Sequence, residues 1–126
     1  MLDRLDLQIE MPALTSTELQ ETAAAEPSAT VRARVIAARA RQRARGSLNA
    51  RLPNAALRDH CALDETGRRL VADAVDRAGM SARGVHRALR VARTIADLCG
   101  EGRVSAAQLA EALQYRAYES RRARCA

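Results

Sequence analysis

Ser81-Ala-Arg-Gly-Val-His-Arg-Ala-Leu-Arg-Val-Ala-Arg-Thr-Ile-Ala-Asp-Leu98 is the stretch that decides the fold class. Val85, Leu89, Ala92 and Ala96 recur at i, i+4, i+7 and i+11, which is one face of an α-helix turned toward a core. Ser81 stands where an N-cap belongs, and Gly100 supplies a stop just past the end. Composition agrees with a helical surrounding. Apolar residues make up 48% of the chain but aromatics only 2%, with neither Phe nor Trp. A core of Leu, Val, Ile and much Ala favours close-packed helices over sheets.

Downstream, Ser105-Ala-Ala-Gln108 has capping-box spacing and opens a final helix with Leu109, Ala112 and Leu113 facing inward, expected to fray in the Arg-rich tail after Tyr118. Upstream, Asp64 is positioned to cap a helix reaching Ala78, which Gly79 ends. Asn54 can cap a short helix to about Cys61, after a break at Asn49-Ala50-Arg51-Leu52-Pro53. Before that break a long helix is predicted from Ser28 as N-cap to Gly46. It carries one apolar stripe of Val31, Val35 and Ala38 and a second of Ala33, Ala37, Ala40 and Ala44. Arginine rows lie between them, Arg32, Arg39 and Arg43 on one edge and Arg34, Arg41 and Arg45 on the other. Two apolar faces predict packing on both sides.

Residues 5–11 alternate apolar and polar and end at Pro12, the pattern of a half-buried strand. It is the one strand signal in the chain. A lone strand needs a sheet supplied from elsewhere, so the start reads as the boundary of a longer protein. Thr15 and Glu18 have capping-box spacing for a short turn, and the Ala, Glu, Pro and Ser that follow read as a linker. The expected organisation is therefore residues 1–12 as the end of another domain, 13–27 as linker, 28–120 as a small all-α bundle of four to five helices, and 121–126 as a flexible tail. The orphan strand is expected to be disordered or wrongly paired.

With 126 residues the chain has room for one ordinary domain. Its 21 basic residues outnumber 15 acidic ones, for a net charge of +6, and all 21 are Arg. A chain without Lys can hold neither a Walker A phosphate loop nor a Schiff-base lysine. Cys61, Cys99 and Cys125 are an odd, widely spaced set with only two His beside them, which predicts reduced thiols and no zinc site. No apolar run approaches the ~18 residues of a membrane span, and no signal segment is visible, so a cytoplasmic protein without a membrane partner is expected. Asp59, Asp64, Asp73, Asp76 and Asp97 are spread over several helices without forming a paired site, and His60 and His86 are isolated surface or capping residues. No hydrolytic or metal centre is expected.

Arg83 is the residue that stands out. It lies in the first turn of the Ser81 helix, where the macrodipole disfavours a cation. Open amides at a helix N-terminus together with a guanidinium suit a phosphate, although spacing alone favours a solvated arginine on an Arg-rich helix. Arg87 and Arg90 share the same polar face. The arginines of the first long helix can neutralise nucleic-acid phosphates or simply form a solvated or subunit-contacting face. Tyr115 and Tyr118 are the only aromatics, so base stacking is poorly provided for.

Three stretches together resemble the magnesium-chelatase-like AAA+ ATPase family, in its ComM or YifB branch. They are Leu2-Asp-Arg-Leu-Asp-Leu7, the Ser81–Leu98 stretch, and Ala110-Glu-Ala-Leu-Gln-Tyr-Arg116, with Asn49-Ala50-Arg51 and Cys61-x-Leu63-Asp64 also fitting. The resemblance implies a C-terminal helical lid joined to a remnant of the ATPase core. Arg4 matches the arginine finger, acting in trans, in a motif similar to the Leu-x-Arg-Phe-Asp of MCM helicases. Arg83 matches the sensor 2 arginine, and Arg87 and Arg90 are weaker candidates for nucleotide contact. The implied whole protein is a homo-hexameric motor using ATP and Mg2+ and acting on DNA in branch migration during natural transformation; neither cofactor is expected on this chain by itself. A magnesium chelatase ATPase subunit and a free-standing basic helical DNA-binding module are the alternatives.

Overall fold

The computed structural model describes residues 4–20 and 25–116. Among them the regular structure is helical: α1 (Ser16–Gln20), α2 (Ser28–Ala44), a 3-10 turn (Asn49–Arg51), α3 (Asn54–His60), α4 (Glu65–Asp76), α5 (Ala82–Cys99) and α6 (Ala106–Gln114). Leu2, Asp3, part of the expected linker, Tyr118, Cys125 and the Arg-rich tail lie outside the described residues.

The helix boundaries follow local chemistry. Asp64 Oδ1 accepts from the Gly67 amide at 2.7 Å and starts α4. Ser81 Oγ accepts from the Gly84 amide at 3.1 Å and starts α5. Ser105 and Gln108 close a reciprocal capping box on α6. At the far end of α5, Gly100 adopts φ +80°, a left-handed conformation in which a Cβ would also press on Arg41. Two caps differ from the sequence expectation. Pro27 and Pro53 occupy the N-cap positions of α2 and α3, with Ser28 and Asn54 already inside the helices and no side-chain cap bond at either. Proline fixes the entry dihedral without providing an acceptor.

α5 is the axis of the bundle, touching α2, α3, α4, α6 and the 3-10 turn. Ala88, Ala92 and Ala96 are fully buried along it, because alanine lets the neighbouring helices approach closely. Leu52, Leu57, Cys61, Val104, Leu109 and Ala112 complete the core around this seam.

Two expectations are corrected. Residues 5–11 form no strand among the described residues; they run as an irregular segment with no neighbouring strand to hydrogen-bond. Nor is α2 packed on two faces. Only Ala38 and Gln42 are buried on it, while Val31, Val35 and Ile36 stay exposed. Its C-terminal half meets α5, and Ala33, Ala37, Ala40 and Ala44 of the second stripe are exposed among the described residues. α1, capped by Thr15 and Glu18, buries nothing.

Candidate functional site

The N-terminal end of α5 presents Arg83. Its first-turn amides have no intrahelical acceptor beyond the one that Ser81 provides for Gly84. Met80 packs so closely over Gly84 that a Cβ there would lie 2.9 Å from Met80 Cγ, which fixes the approach of the chain to the helix. Arg83 is exposed and makes no hydrogen bond or ion pair among the described residues.

The three other arginines of α5 are all engaged. Arg87 Nη1 sits 3.1 Å from Asp6 Oδ1, an ion pair that is not aligned as a hydrogen bond. Arg90 donates to the Leu52 carbonyl from Nε at 3.1 Å and Nη2 at 2.8 Å, and to Asn54 Oδ1 at 2.8 Å. It thereby satisfies the loop that enters α3. Arg93 is 1% exposed and donates to the carbonyls of His60, Glu101 and Gly102 and to Asp97 Oδ1.

Asp97, fully buried, is the hub of a polar network at the C-terminal end of α5. Arg45 forks onto both of its carboxylate oxygens, at 2.9 Å and 2.5 Å. Asn49 Nδ2 donates to it at 2.8 Å, and Arg41 donates to its backbone carbonyl at 3.0 Å. Burial pushes the Asp97 carboxyl up, but hydrogen bonds from Arg45 and Asn49 and the charges of Arg93 and Arg45 outweigh it and hold the group below its ordinary value. The network locks α2, the 3-10 turn and α5 together. Reading the sequence for paired carboxylates misses it, because the pairing is acid with base. A signal was present: Leu89, Arg93 and Asp97 form one i, i+4, i+8 row beside the alanine seam, so both charges fall on the core-facing arc.

Arg4 is exposed, at the head of the irregular segment. The segment rests on α5 and on the residues that end α6. Besides the Asp6–Arg87 pair, Arg116 Nη1 donates to the Leu5 carbonyl at 2.9 Å and the Gln8 amide donates to the Tyr115 carbonyl at 2.9 Å. Asp6, Leu7 and Ile9 line a largely apolar cleft with Val91, Ile95 and Leu98.

Cys61 is buried, its thiol donating to the Leu89 carbonyl at 3.6 Å, and burial pushes it up to about 11. No group of three or more His, Cys, Asp or Glu that could hold a metal ion occurs among the described residues. None of their helices is long and apolar enough to cross a membrane.

Residues 25–116 match the family model for the magnesium chelatase, subunit ChlI C-terminal. The chain belongs to this family. It is 43% identical over 118 residues to the competence protein ComM of Haemophilus influenzae, covering 92% of the chain and 23% of that protein. To the uncharacterized proteins YifB of Salmonella typhimurium and Escherichia coli it is 42% and 38% identical over 120 residues, covering 94% of the chain and 24% of each. The chain thus spans about a quarter of the length of the curated relatives it matches. It is a magnesium-chelatase-like C-terminal domain of the ComM/YifB type, and α2 to α6 are the helical body that the family model covers.

Among the described residues, the guanidinium of Arg83 and the first amides of α5 stand together without an acidic partner, a donor set whose chemistry suits a phosphate.

Proposed function

We propose that this chain is the lid of a ring-forming, ATP-driven motor of the ComM type, with Arg83 as the sensor 2 residue and Arg4 as a finger reaching a neighbouring subunit's nucleotide. The observation that carries this is the contrast along α5. Arg87, Arg90 and Arg93 are taken up by the fold, whereas Arg83 is left exposed beside open helix amides, where a cation is otherwise disfavoured. A γ-phosphate is the anion that such an end of a helix is built to receive.

ATP with Mg2+, when bound, supplies the transferable phosphoryl group. Arg83 would hold its terminal oxygens from the lid side, and Arg4, carried by the same chain, would offset the charge developing on the phosphoryl group in the adjoining subunit. The other members of the α5 polar face then have structural duties, so nucleotide contact is assigned to Arg83 and not to Arg87 or Arg90. DNA is the proposed substrate of the whole protein, since a relative 43% identical over 118 residues is a competence protein. A homo-hexameric ring is the proposed assembly.

The test is steady-state ATP hydrolysis by the full-length protein with Arg4→Ala, Arg83→Ala and both. Each single change should lower kcat at least about a hundredfold, in line with the loss of a transition-state arginine. A double variant turning over at the wild-type rate would falsify the assignment.

A further inference from the structure

We infer that Arg87 is a positioning residue that seats the Arg4 segment on the helix carrying Arg83, so that one rigid element places both nucleotide-reading arginines. This rests on the proposed roles of Arg4 and Arg83. The carrying observation is the docking of the segment that sequence alone marked as an orphan. Three contacts tie it down over four residues: the Leu5 carbonyl to Arg116, Asp6 to Arg87, and the Gln8 amide to the Tyr115 carbonyl.

The strength of the seat lies in its two unlike halves. The backbone contacts fix height and register, and one of them ends on Arg116, whose side chain is fully buried and therefore cannot drift. The ion pair fixes the lateral position. Arg87 is mostly covered, at 18% side-chain exposure, while Asp6 is at 58%. An exposed pair by itself holds little, but here the cation is already immobilised by packing and the partner is delivered by the backbone bonds on either side.

The geometry links the two arginines through few covalent steps. Arg83 and Arg87 are i and i+4 on α5, one turn apart on the same face. Arg4 is two residues from Asp6, within roughly 7 Å of backbone reach. α5 is anchored by three fully buried alanines and by the Asp97 network, so its turns move together. A shift of α5 when the phosphate beside Arg83 comes or goes is therefore passed through Arg87 to Asp6, and from there to Arg4. A subunit's own nucleotide state would then set the finger it offers its neighbour.

The experiment uses the full-length assembled protein with Arg87→Ala, Asp6→Asn and the exchange Asp6→Arg with Arg87→Asp, alongside Arg4→Ala. Two readouts are taken: kcat and KM for ATP, and amide hydrogen exchange at Gln8, which reports docking without reference to activity. Both single changes should lower kcat about tenfold with KM for ATP within about threefold, and should speed exchange at Gln8; the exchange of charges should recover most of both. Wild-type turnover and unchanged Gln8 protection in Arg87→Ala and Asp6→Asn overturn the seat, while an inactive Arg4→Ala in the same series leaves the finger reading standing. Wild-type turnover in Arg4→Ala overturns the finger reading and the positioning role with it. If Arg87→Ala disturbs α5, Asp6→Asn probes the same pair from the exposed side. A loss of activity that the exchange of charges does not restore, with Gln8 protection intact, also counts against the seat.

Discussion

At the C-terminal end of α5, Arg93 is 1% exposed and makes four hydrogen bonds, to three carbonyls and to Asp97. At the N-terminal end of the same helix, Arg83 is exposed and makes none among the described residues. Both are arginines on one helix of eighteen residues. The C-terminal end has a negative dipole end and the Asp97 carboxylate, and guanidinium groups complete them there: Arg93 also takes the carbonyls of His60, Glu101 and Gly102, and Arg41 takes the Asp97 carbonyl. The N-terminal end has open amides and a positive dipole end, which an arginine leaves unsatisfied. The same residue type is therefore structural where the helix supplies the counter-charge and available for a ligand where it does not.

The largest effect that can break this contrast is at Asp97. Asp97→Ala leaves the buried Arg93 and the half-buried Arg45 without their carboxylate, at a cost of about 3–5 kcal/mol, a large part of the stability of a small domain. Urea unfolding followed by circular dichroism should show it, and a wild-type midpoint would remove the structural half of the comparison. The same group gives a pH signature. Because its folded pKa is depressed, its contribution is present above the unfolded value of about 3.9 and is lost as pH falls through the folded value. Stability should decline below about pH 4, less steeply in Asp97→Asn.

Cys61, packed against the middle of α5, titrates in the other direction. Its folded pKa is raised to about 11, so the contribution is complete below the ordinary thiol value and is lost as pH rises toward 11. Roughly 2 kcal/mol of stability should disappear over that window. Unfolding midpoints of wild type and Cys61→Ala compared from pH 8 to 11 should reveal this, and parallel curves would contradict it.

Smaller effects sharpen the other end. Ser81→Ala removes the cap that starts α5 and should cost about 1 kcal/mol in the same urea assay. Arg83→Ala should change stability by less than about 0.5 kcal/mol, since no hydrogen bond or ion pair among the described residues is lost, even as it is expected to remove turnover from the full-length protein. A destabilisation of 2 kcal/mol or more would assign Arg83 to the fold along with Arg93.

Most of the helical frame was legible in the residues, because caps and periodicity are local. Asp64, Ser81 and Ser105 act as caps, and Gly46, Gly79 and Gly100 take the positive φ that ends a helix. The candidate site was half legible. The oddity of a cation in the first turn marked Arg83, but nothing local separated it from Arg87 and Arg90, which occupy the same polar face. Their partners, Asp6, Leu52 and Asn54, lie more than thirty residues away in the chain.

The alternation at residues 5–11 produced no strand for a related reason. Period two measures a segment's readiness to pair, and pairing requires a second strand, which the described residues do not provide. Sequence by itself determined where α4, α5 and α6 start and that the core would be rich in alanine, since caps, dihedral preferences and side-chain volume act over a few residues. Tertiary structure alone decided which arginines are engaged, where Asp97 finds its counter-charges, and on what the Arg4 segment rests. Burial and charge compensation depend on groups that meet only when the chain has folded.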